Sequence, residues 1–398
     1  MRALVIAPQP FFSPRGTPFS VYYRTLVASE LGVEIDLLTY GEGQDVDIPD
    51  VRIIRIPRFG FLGSVQVGPS LLKLFLDIFI FFWTVGLLLF NRYDFIHAHE
   101  ESVFFCMILK PIFRFKLIYD MHSSLPQQLT NFQFTKSKLL IRLFKMLEDK
   151  SLRAADYVIT ICPDLSNYVN SLLTKTDKHI LIENSIFEPV KLLDENTVTQ
   201  NSPKERNFIP ESEEIVPTGR KYIVYAGTLE TYQGIGLLIK AFKKVITEVS
   251  QAFLIVVGGN KAQVDHYLEL AKRYGIERNI LFTGQVPQEI AKKYNALANV
   301  LVSPRIAGTN TPLKIYELIE SGIALVATRI YSHTQILDDS VAILVEIEAN
   351  NMAQGLIKAL SPTNETLKII ENAKKLYMEK YSRPVYVKKM IKVLAHLN

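Results

Sequence analysis

The stretch KYIVYAGTLETYQGIGLLIKAFKKVITEVSQAFLIVVGG, residues 221–259, decides the fold. KYIVYAG (221–227) is an apolar run ending on glycine, and it reads as a buried strand with a turn behind it. A helix is expected from about Leu237 to Val249, and FLIVVGG (253–259) is a second strand. Two strands joined by a helix at this spacing lie parallel in one sheet with a right-handed crossover. Both are apolar on both faces, so helices cover the sheet on each side.

The alternation continues toward the C-terminus. Helices are expected at 262–274, 288–298 and 311–321, between the strands NILFTG (279–284), VLVSP (300–304) and ALVAT (324–328). It also runs through the N-terminal half. ALVIA (3–7), VEIDLLTY (33–40), VRIIRIP (51–57), FIHAH (95–99), KLIYDMH (116–122) and DYVITI (156–161) read as strands, with helices at 19–31 and 138–154. The pattern breaks across 186–219, which is rich in proline and charge and reads as a polar linker or surface excursion. The fold class is α/β, with two Rossmann-like doubly wound parallel-sheet domains at 1–185 and 220–379. A last helix, 385–397, follows Pro384.

A chain of 398 residues suits two cores better than one. Hydrophobic residues make up 48% and charged residues 21%, which excludes a disordered chain. The net charge of +5 does not argue for nucleic acid, but it permits an anionic substrate or an anionic membrane surface. Cys106 and Cys162 cannot form a disulfide framework. The apolar N-terminal run stops at Pro8, too short for a signal peptide. Mean hydropathy is +0.14, high for a soluble protein. The excess concentrates in LLKLFLDIFIFFWTVGLLLF, 71–90, where Lys73 and Asp77 interrupt a run otherwise near spanning length. A buried helix, a helix in the membrane interface and a true span all fit. The basic amphipathic segment 136–153 reads as a solvated surface helix or as contact with anionic lipid heads. Taken together, 71–90 and 136–153 favour a peripheral docking surface.

Ligands of doubly wound sheets sit beyond the carboxyl ends of the strands, so the residues following each strand carry the chemistry. SPRIAGTNTPLKIYELIESG, 303–322, is the best-specified segment. Thr311 is a natural N-cap and Pro312 fits the first helical position, which leaves the amides of Leu313 and Lys314 facing a phosphate. Lys314 and Glu317 share a helix face, a cation for pyrophosphate and a carboxylate for ribose hydroxyls. Arg305 adds a second cation. A plainly capped helix with a surface ion pair is the alternative. Gly227 and the QGIG turn form a second possible anion site, without the dinucleotide fingerprint. In the N-terminal half, the long loop 8–20 brings Arg15 and Gly16 toward a ligand. His97 and His99 are placed on opposite faces of their strand. His122, at a strand end, is the favoured histidine, with a purely structural role as the alternative. No His, Cys or carboxylate spacing suggests a metal, and none is expected.

Taken together, YDMH (119–122), ADYVITIC (155–162), ENSIF (183–187), YAGTLETYQG (225–234), ILFTGQV (280–286) and the loop and helix ending in Glu317 resemble family 4 glycosyltransferases. These are retaining enzymes of the GT-B fold, whose two domains face each other across a cleft and whose last helix crosses back, which implies that 380–398 belongs with the N-terminal domain. The resemblance covers nearly the whole chain. It implies that Glu317 is the second Glu of the Glu-x7-Glu motif and holds the donor ribose. The first Glu falls at Thr309, a departure. The Gly-Arg-x4-Lys-Gly cations fall on Thr228 and Gln233, a second departure for which Arg305 and Lys314 compensate.

By the same resemblance, His122 lies near the transferred sugar, Gly16 lies beneath the phosphates, and Gly284 and Gln285 line the base. Thr309, Asn310, Thr311 and Leu313 complete the donor loop. The expected activity is metal-independent, retaining transfer of a hexosyl unit from a UDP- or GDP-linked sugar to a glycan or lipid-linked acceptor. The enzyme is expected in the cytoplasm, peripheral on the inner face of the cytoplasmic membrane, with the nucleotide sugar as a substrate rather than a cofactor. The departures at Thr309, Thr228 and Gln233 motivate an alternative, a non-catalytic nucleotide- or sugar-binding subunit.

Overall fold

The structure is a computed structural model that describes residues 1–13, 16–58, 60, 63, 65, 70–126, 137–173, 176–184, 186–188, 190, 192 and 217–397. Arg15, Lys136 and most of 186–219 lie outside the described residues. The chain divides into two compact units. One comprises Met1–Asn184, Val190–Asn201 and Arg383–Asn398, and the other Ser185–Pro189 and Ser202–Ser382.

The first unit is built on a 7-stranded parallel sheet. Its strands are β1 (Arg2–Ala7), β2 (Glu34–Thr39), β3 (Val51–Arg55), β4 (Phe95–His99), β5 (Lys116–Met121), β6 (Tyr157–Thr160) and β7 (His179–Leu181). Their order is β3-β2-β1-β4-β5-β6-β7, so the winding reverses between β1 and β4. Every residue of β4 is buried, as expected of a central strand covered on both faces. The helix Arg383–Leu397 packs in this unit, burying Tyr386, Met390 and Val393. Lys389 Nζ meets Glu183 Oε2 at 2.6 Å and Arg383 clasps Glu30.

The second unit has a 6-stranded parallel sheet of β8 (Lys221–Ala226), β9 (Ala252–Val257), β10 (Ile280–Gly284), β11 (Val300–Ser303), β12 (Ala324–Thr328) and β13 (Ile343–Val345). The order β10-β9-β8-β11-β12-β13 reverses between β8 and β11. The helix Ile235–Glu248 fixes β8 by burying Ile235, Leu238, Ile239, Phe242 and Val245 at helical spacing. Gly234, at φ 75°, opens that helix, and a Cβ there would stand 1.9 Å from Pro304 O. Only glycine lets the β8 loop approach the β11 loop so closely. The three-residue strands β7 and β13 were not anticipated, and neither were the helices Ser102–Phe113, Ala349–Leu360 and Asn364–Lys380.

The structure corrects two sequence expectations. His97 and His99 stack with ring centroids 4.5 Å apart. Residues two apart on a strand share a face, so the assignment to opposite faces was wrong. The helix expected to start at Thr311 starts instead at Lys314 and is 7 residues long, with Leu313 as its N-cap and no side-chain cap bond. Pro312 enters through a tight turn, Ile315 N to Pro312 O at 3.0 Å. Thr311 Oγ1 is buried without a hydrogen-bond partner among the described residues.

Candidate functional site

In the second unit, the reversal of strand order leaves a crevice beyond the carboxyl ends of β8 and β11, and the loops leaving those strands line it. Gly227 follows β8 at φ 152°, so the chain turns where a side chain rarely fits. Tyr225, the penultimate residue of β8, donates its hydroxyl to Thr228 O at 2.6 Å and lays its ring beneath Lys314. Lys314 Nζ is 3.9 Å from that ring centroid and 3.5 Å from Ala226 O. Gln233 Nε2 reaches Thr228 Oγ1 at 3.4 Å, so the two positions expected to lack cations do adjoin each other.

Arg305 approaches from the β11 loop. Its Nε donates to Ala307 O at 2.7 Å, and its guanidinium lies 5.1 Å from the Tyr232 ring centroid. Gly308, at φ 129°, leaves room for it, since a Cβ there would meet Arg305 Nη2 at 2.3 Å. Thr328, which ends β12, donates its hydroxyl to Arg305 O and so pins the same loop. Among the described residues neither Arg305 nor Lys314 forms an ion pair. Burial, with Arg305 alongside, pushes the Lys314 ammonium down to about 7. Burial also lowers Arg305. His333 Nδ1 donates to Thr328 O at 2.8 Å, its Nε2 lies 3.0 Å from Ser303 Oγ, and burial takes the ring down to about 4. The site is thus two adjacent cations on an aromatic floor, with no anion of their own.

The structure brings Gly227, Thr228, Arg305 and Lys314 together as expected. The helix-end part of that expectation shifts: the helix begins at Lys314 with Leu313 as its N-cap, without a cap bond from Thr311. Glu317 sits one turn further along. Burial raises its carboxyl, while Lys292 and a hydrogen bond from Asn295 oppose the rise. It makes no ion pair with Lys314 among the described residues. Thr309 O accepts from Gln335 Nε2 at 2.5 Å, and Asn310 O lies 3.4 Å from Arg305 Nη1, so both residues belong to the Arg305 loop. Gly284, at φ 69°, ends β10 with its carbonyl accepting from Gly258 N at 2.8 Å, and Gln285 next to it is exposed.

In the first unit Gly16 opens the helix Gly16–Glu30, exposed and with open space about it. His122 follows β5 and is buried rather than open. Its Nε2 lies 2.9 Å from His99 Nδ1 and 3.4 Å from Asp120 Oδ1. Asp120 Oδ2 accepts from Arg24 Nε at 2.9 Å and meets His97 Nε2 at 3.0 Å. Arg24, wholly buried, also donates to Ile182 O at 2.8 Å and to the Tyr386 hydroxyl. Although burial works the other way, the Arg24 guanidinium and the histidines hold the Asp120 carboxyl well below its usual range. Burial lowers both His99 and His122, which are neutral at physiological pH.

Sequence reasoning missed this network. The available signal was Asp120 two residues before His122 on one strand face, whereas Arg24 comes from a helix with no motif. His97, His99 and Asp120 bring ligand-type atoms within 4.8 Å of one another. Chain spacing could not reveal this, because two strands supply them. The Asp120 oxygen nearest the histidines is already held by Arg24, whose fixed charge opposes a second cation there.

Comparisons with known proteins agree with these two units. Residues 20–186 match the family model "Glycosyltransferase Family 4", and residues 207–376 match "Glycosyl transferases group 1". An uncharacterised glycosyltransferase of Methanocaldococcus jannaschii is 27% identical over 375 residues, 91% of this chain and 89% of that one. The lipopolysaccharide 1,2-N-acetylglucosaminetransferase of Salmonella typhimurium is 27% identical over 171 residues, 40% of this chain and 44% of that one. Among solved structures, sucrose-phosphate synthase from Thermosynechococcus elongatus has a TM-score of 0.74 at 19% identity, covering 100% of this chain and 98% of that one. HepE of Anabaena, solved with UDP, has 0.71 at 14%, covering 99% and 100%.

Proposed function

We propose a reaction for this chain, a glycosyltransferase of the GT-B type: it moves a hexosyl unit from a nucleoside-diphosphate sugar to a glycan carried on a lipid, with retention at the anomeric carbon. One observation carries this reading. Two cations that form no ion pair among the described residues, Arg305 and Lys314, meet at the strand-order reversal where such sheets take their ligands. A diphosphate supplies the missing negative charge.

When the bond from the anomeric carbon to the diphosphate oxygen breaks, charge grows on the leaving group. Fixed cations in a water-poor crevice stabilise that charge without reorganising. Lys314 and Arg305 do so here, and the reaction we assign needs no divalent ion at the phosphates. The half-buried Glu317 carboxylate is assigned to the ribose hydroxyls, and Gly284 and Gln285 to the base. Among the described residues no carboxylate pairs with these cations. Front-face attack, with the departing diphosphate taking the acceptor proton, therefore accounts for retention.

HepE, solved with UDP-glucose, supports a uridine donor by analogy of fold. The Salmonella transferase, named for lipopolysaccharide, supports a lipid-borne glycan acceptor. We place the enzyme on the cytoplasmic face of the membrane. The test is a thermal-shift screen of UDP- and GDP-sugars, followed by a transfer assay with the stabilising donors. A donor at 100 times its dissociation constant adds about 2.7 kcal/mol of stability. No stabilisation by any nucleotide sugar overturns the reading.

A further inference from the structure

The helix Leu71–Phe90 is apolar on its outer face as well as its inner one. Leu76, Ile80, Thr84 and Leu88 form the buried stripe. On the opposite side Leu74, Ile78, Phe82 and Leu89 are 52%, 54%, 62% and 65% exposed. An ordinary surface helix carries charge there. The most apolar window has a mean hydropathy of 2.1 and is only 22% buried, so the helix is not enclosed on all sides. The apolar surface also continues sideways. Phe81 packs edge-on against Phe105 at 5.8 Å, in the helix Ser102–Phe113, which exposes Ile108 and Ile112. Phe104 of that helix lies 6.4 Å from Phe144 in the helix Lys138–Ala154, which exposes Leu139, Leu143 and Met146. Beside these three, at helical spacing, lie the exposed Lys138, Arg142 and Arg153, an edge of net positive charge interrupted by Asp149, which pairs with Lys145 at 3.6 Å.

The same geometry argues against a span. The buried stripe from Leu76 to Leu88 belongs to the core of the first unit, and Asp77 accepts from the Tyr40 hydroxyl at 2.6 Å. Drawing the helix through a bilayer strips those contacts. An apolar surface shared by three helices is more than a soluble monomer ordinarily leaves bare. Its cationic border matches the phosphates of anionic lipids.

We propose that the outer faces of helices 71–90, 102–113 and 138–154 together form a docking platform that lies flat on an anionic bilayer. The apolar side chains enter at the level of the acyl boundary, and Lys138, Arg142 and Arg153 meet the lipid phosphates. This deepens the reading of a lipid-borne acceptor and rests on it for its purpose. Its test reads binding alone, so either can fail without the other.

Trp83 is the chain's only tryptophan and lies on this helix, 36% exposed. The full chain is titrated with vesicles of phosphatidylcholine, with and without phosphatidylglycerol, while Trp83 emission and flotation are followed. The expected result is binding to the anionic vesicles, a blue shift of Trp83, quenching by acyl-chain quenchers, and release by salt. Replacing Lys138 and Arg142 by glutamine should lower partitioning roughly 25-fold, at about 5-fold per cation. Ile78→Glu with Phe82→Glu, both outward-facing, should abolish it while preserving the fold by circular dichroism. A protein left in the supernatant at low salt overturns the proposal, as does binding indifferent to lipid charge. Resistance to alkaline carbonate extraction indicates a span and overturns it too. So does a salt-stable dimer in which Trp83 is shielded without lipid, which assigns the surface to a second copy.

Discussion

The sharpest consequence of the site concerns pH. Lys314 is held at about 7 by burial and by Arg305. A sugar diphosphate is fully ionised well below neutrality and stays so, so between about pH 6 and 9 the donor itself does not titrate. Bound between Lys314 and Arg305, its charge restores the ammonium form of Lys314. Donor binding therefore takes up a proton above pH 7. The dissociation constant rises about tenfold per pH unit there, or about 1.4 kcal/mol, reaching roughly 100-fold by two units above neutrality. The neighbours do not mask this trend. His333 is already neutral, near 4, and burial raises the Tyr225 hydroxyl far out of the range.

Lys314→Arg keeps a permanent cation and should give a flat profile. Lys314→Met should bind about 10- to 150-fold more weakly below neutrality, the loss of one charged hydrogen bond. The sign for stability is opposite. The folded Lys314 binds fewer protons than the unfolded chain between about pH 7 and 10.4, so the ligand-free protein gains stability as pH rises through that window. The slope is at most about 1.4 kcal/mol per unit, a ceiling because the side chain keeps some contact with water. Calorimetric titration with UDP- and GDP-sugars, in buffers of different ionisation heats, reads affinity and proton uptake together. An affinity that stays level from pH 6 to 9, with buffer-independent heat, refutes the reasoning.

Further outcomes follow from other contacts. Glu317→Gln should raise the donor KM roughly 10- to 100-fold, because a neutral amide accepts ribose hydroxyls less well; unchanged kinetics with limiting donor removes Glu317 from the site. Gly234→Ala forces a Cβ to within 1.9 Å of Pro304 O at φ 75°, and should cost at least about 2 kcal/mol in urea unfolding. Arg24→Met removes the permanent cation beside the buried Asp120, leaving the carboxylate to its histidine neighbours, and should cost about 3–5 kcal/mol, part of which Arg24→Met with Asp120→Asn should restore.

The strands that build the two sheets were legible because each buried run is bounded by glycine, proline or a helical pattern. The spacing of 221–259 alone implies parallel pairing, and β8 and β9 do pair in parallel from Lys221–Ala252 to Ala226–Val257. Edge strands β7 and β13, three residues each, are too short for any period to register. Arg305 and Lys314 could be read as neighbours because both follow β11, and the loop between them is short. What could not be read was the Tyr225 floor beneath Lys314, which comes from another strand, or the late start of the helix at Lys314. There, local cap chemistry at Thr311 and Pro312 lost to the demands of the loop that holds Arg305. Arg24 stayed hidden for a related reason: its partners Asp120, Ile182 and Tyr386 lie far away in sequence.

The most direct test is where the donor diphosphate lies. A crystal structure with UDP, or with the nucleotide of whichever sugar stabilises the protein, decides it. The predicted result is a diphosphate beyond the carboxyl ends of β8 and β11, with oxygens within hydrogen-bond distance of Lys314 Nζ and the Arg305 guanidinium, and with the ribose hydroxyls at Glu317. A nucleotide seated elsewhere, with Lys314 still resting unpaired on Tyr225, contradicts it.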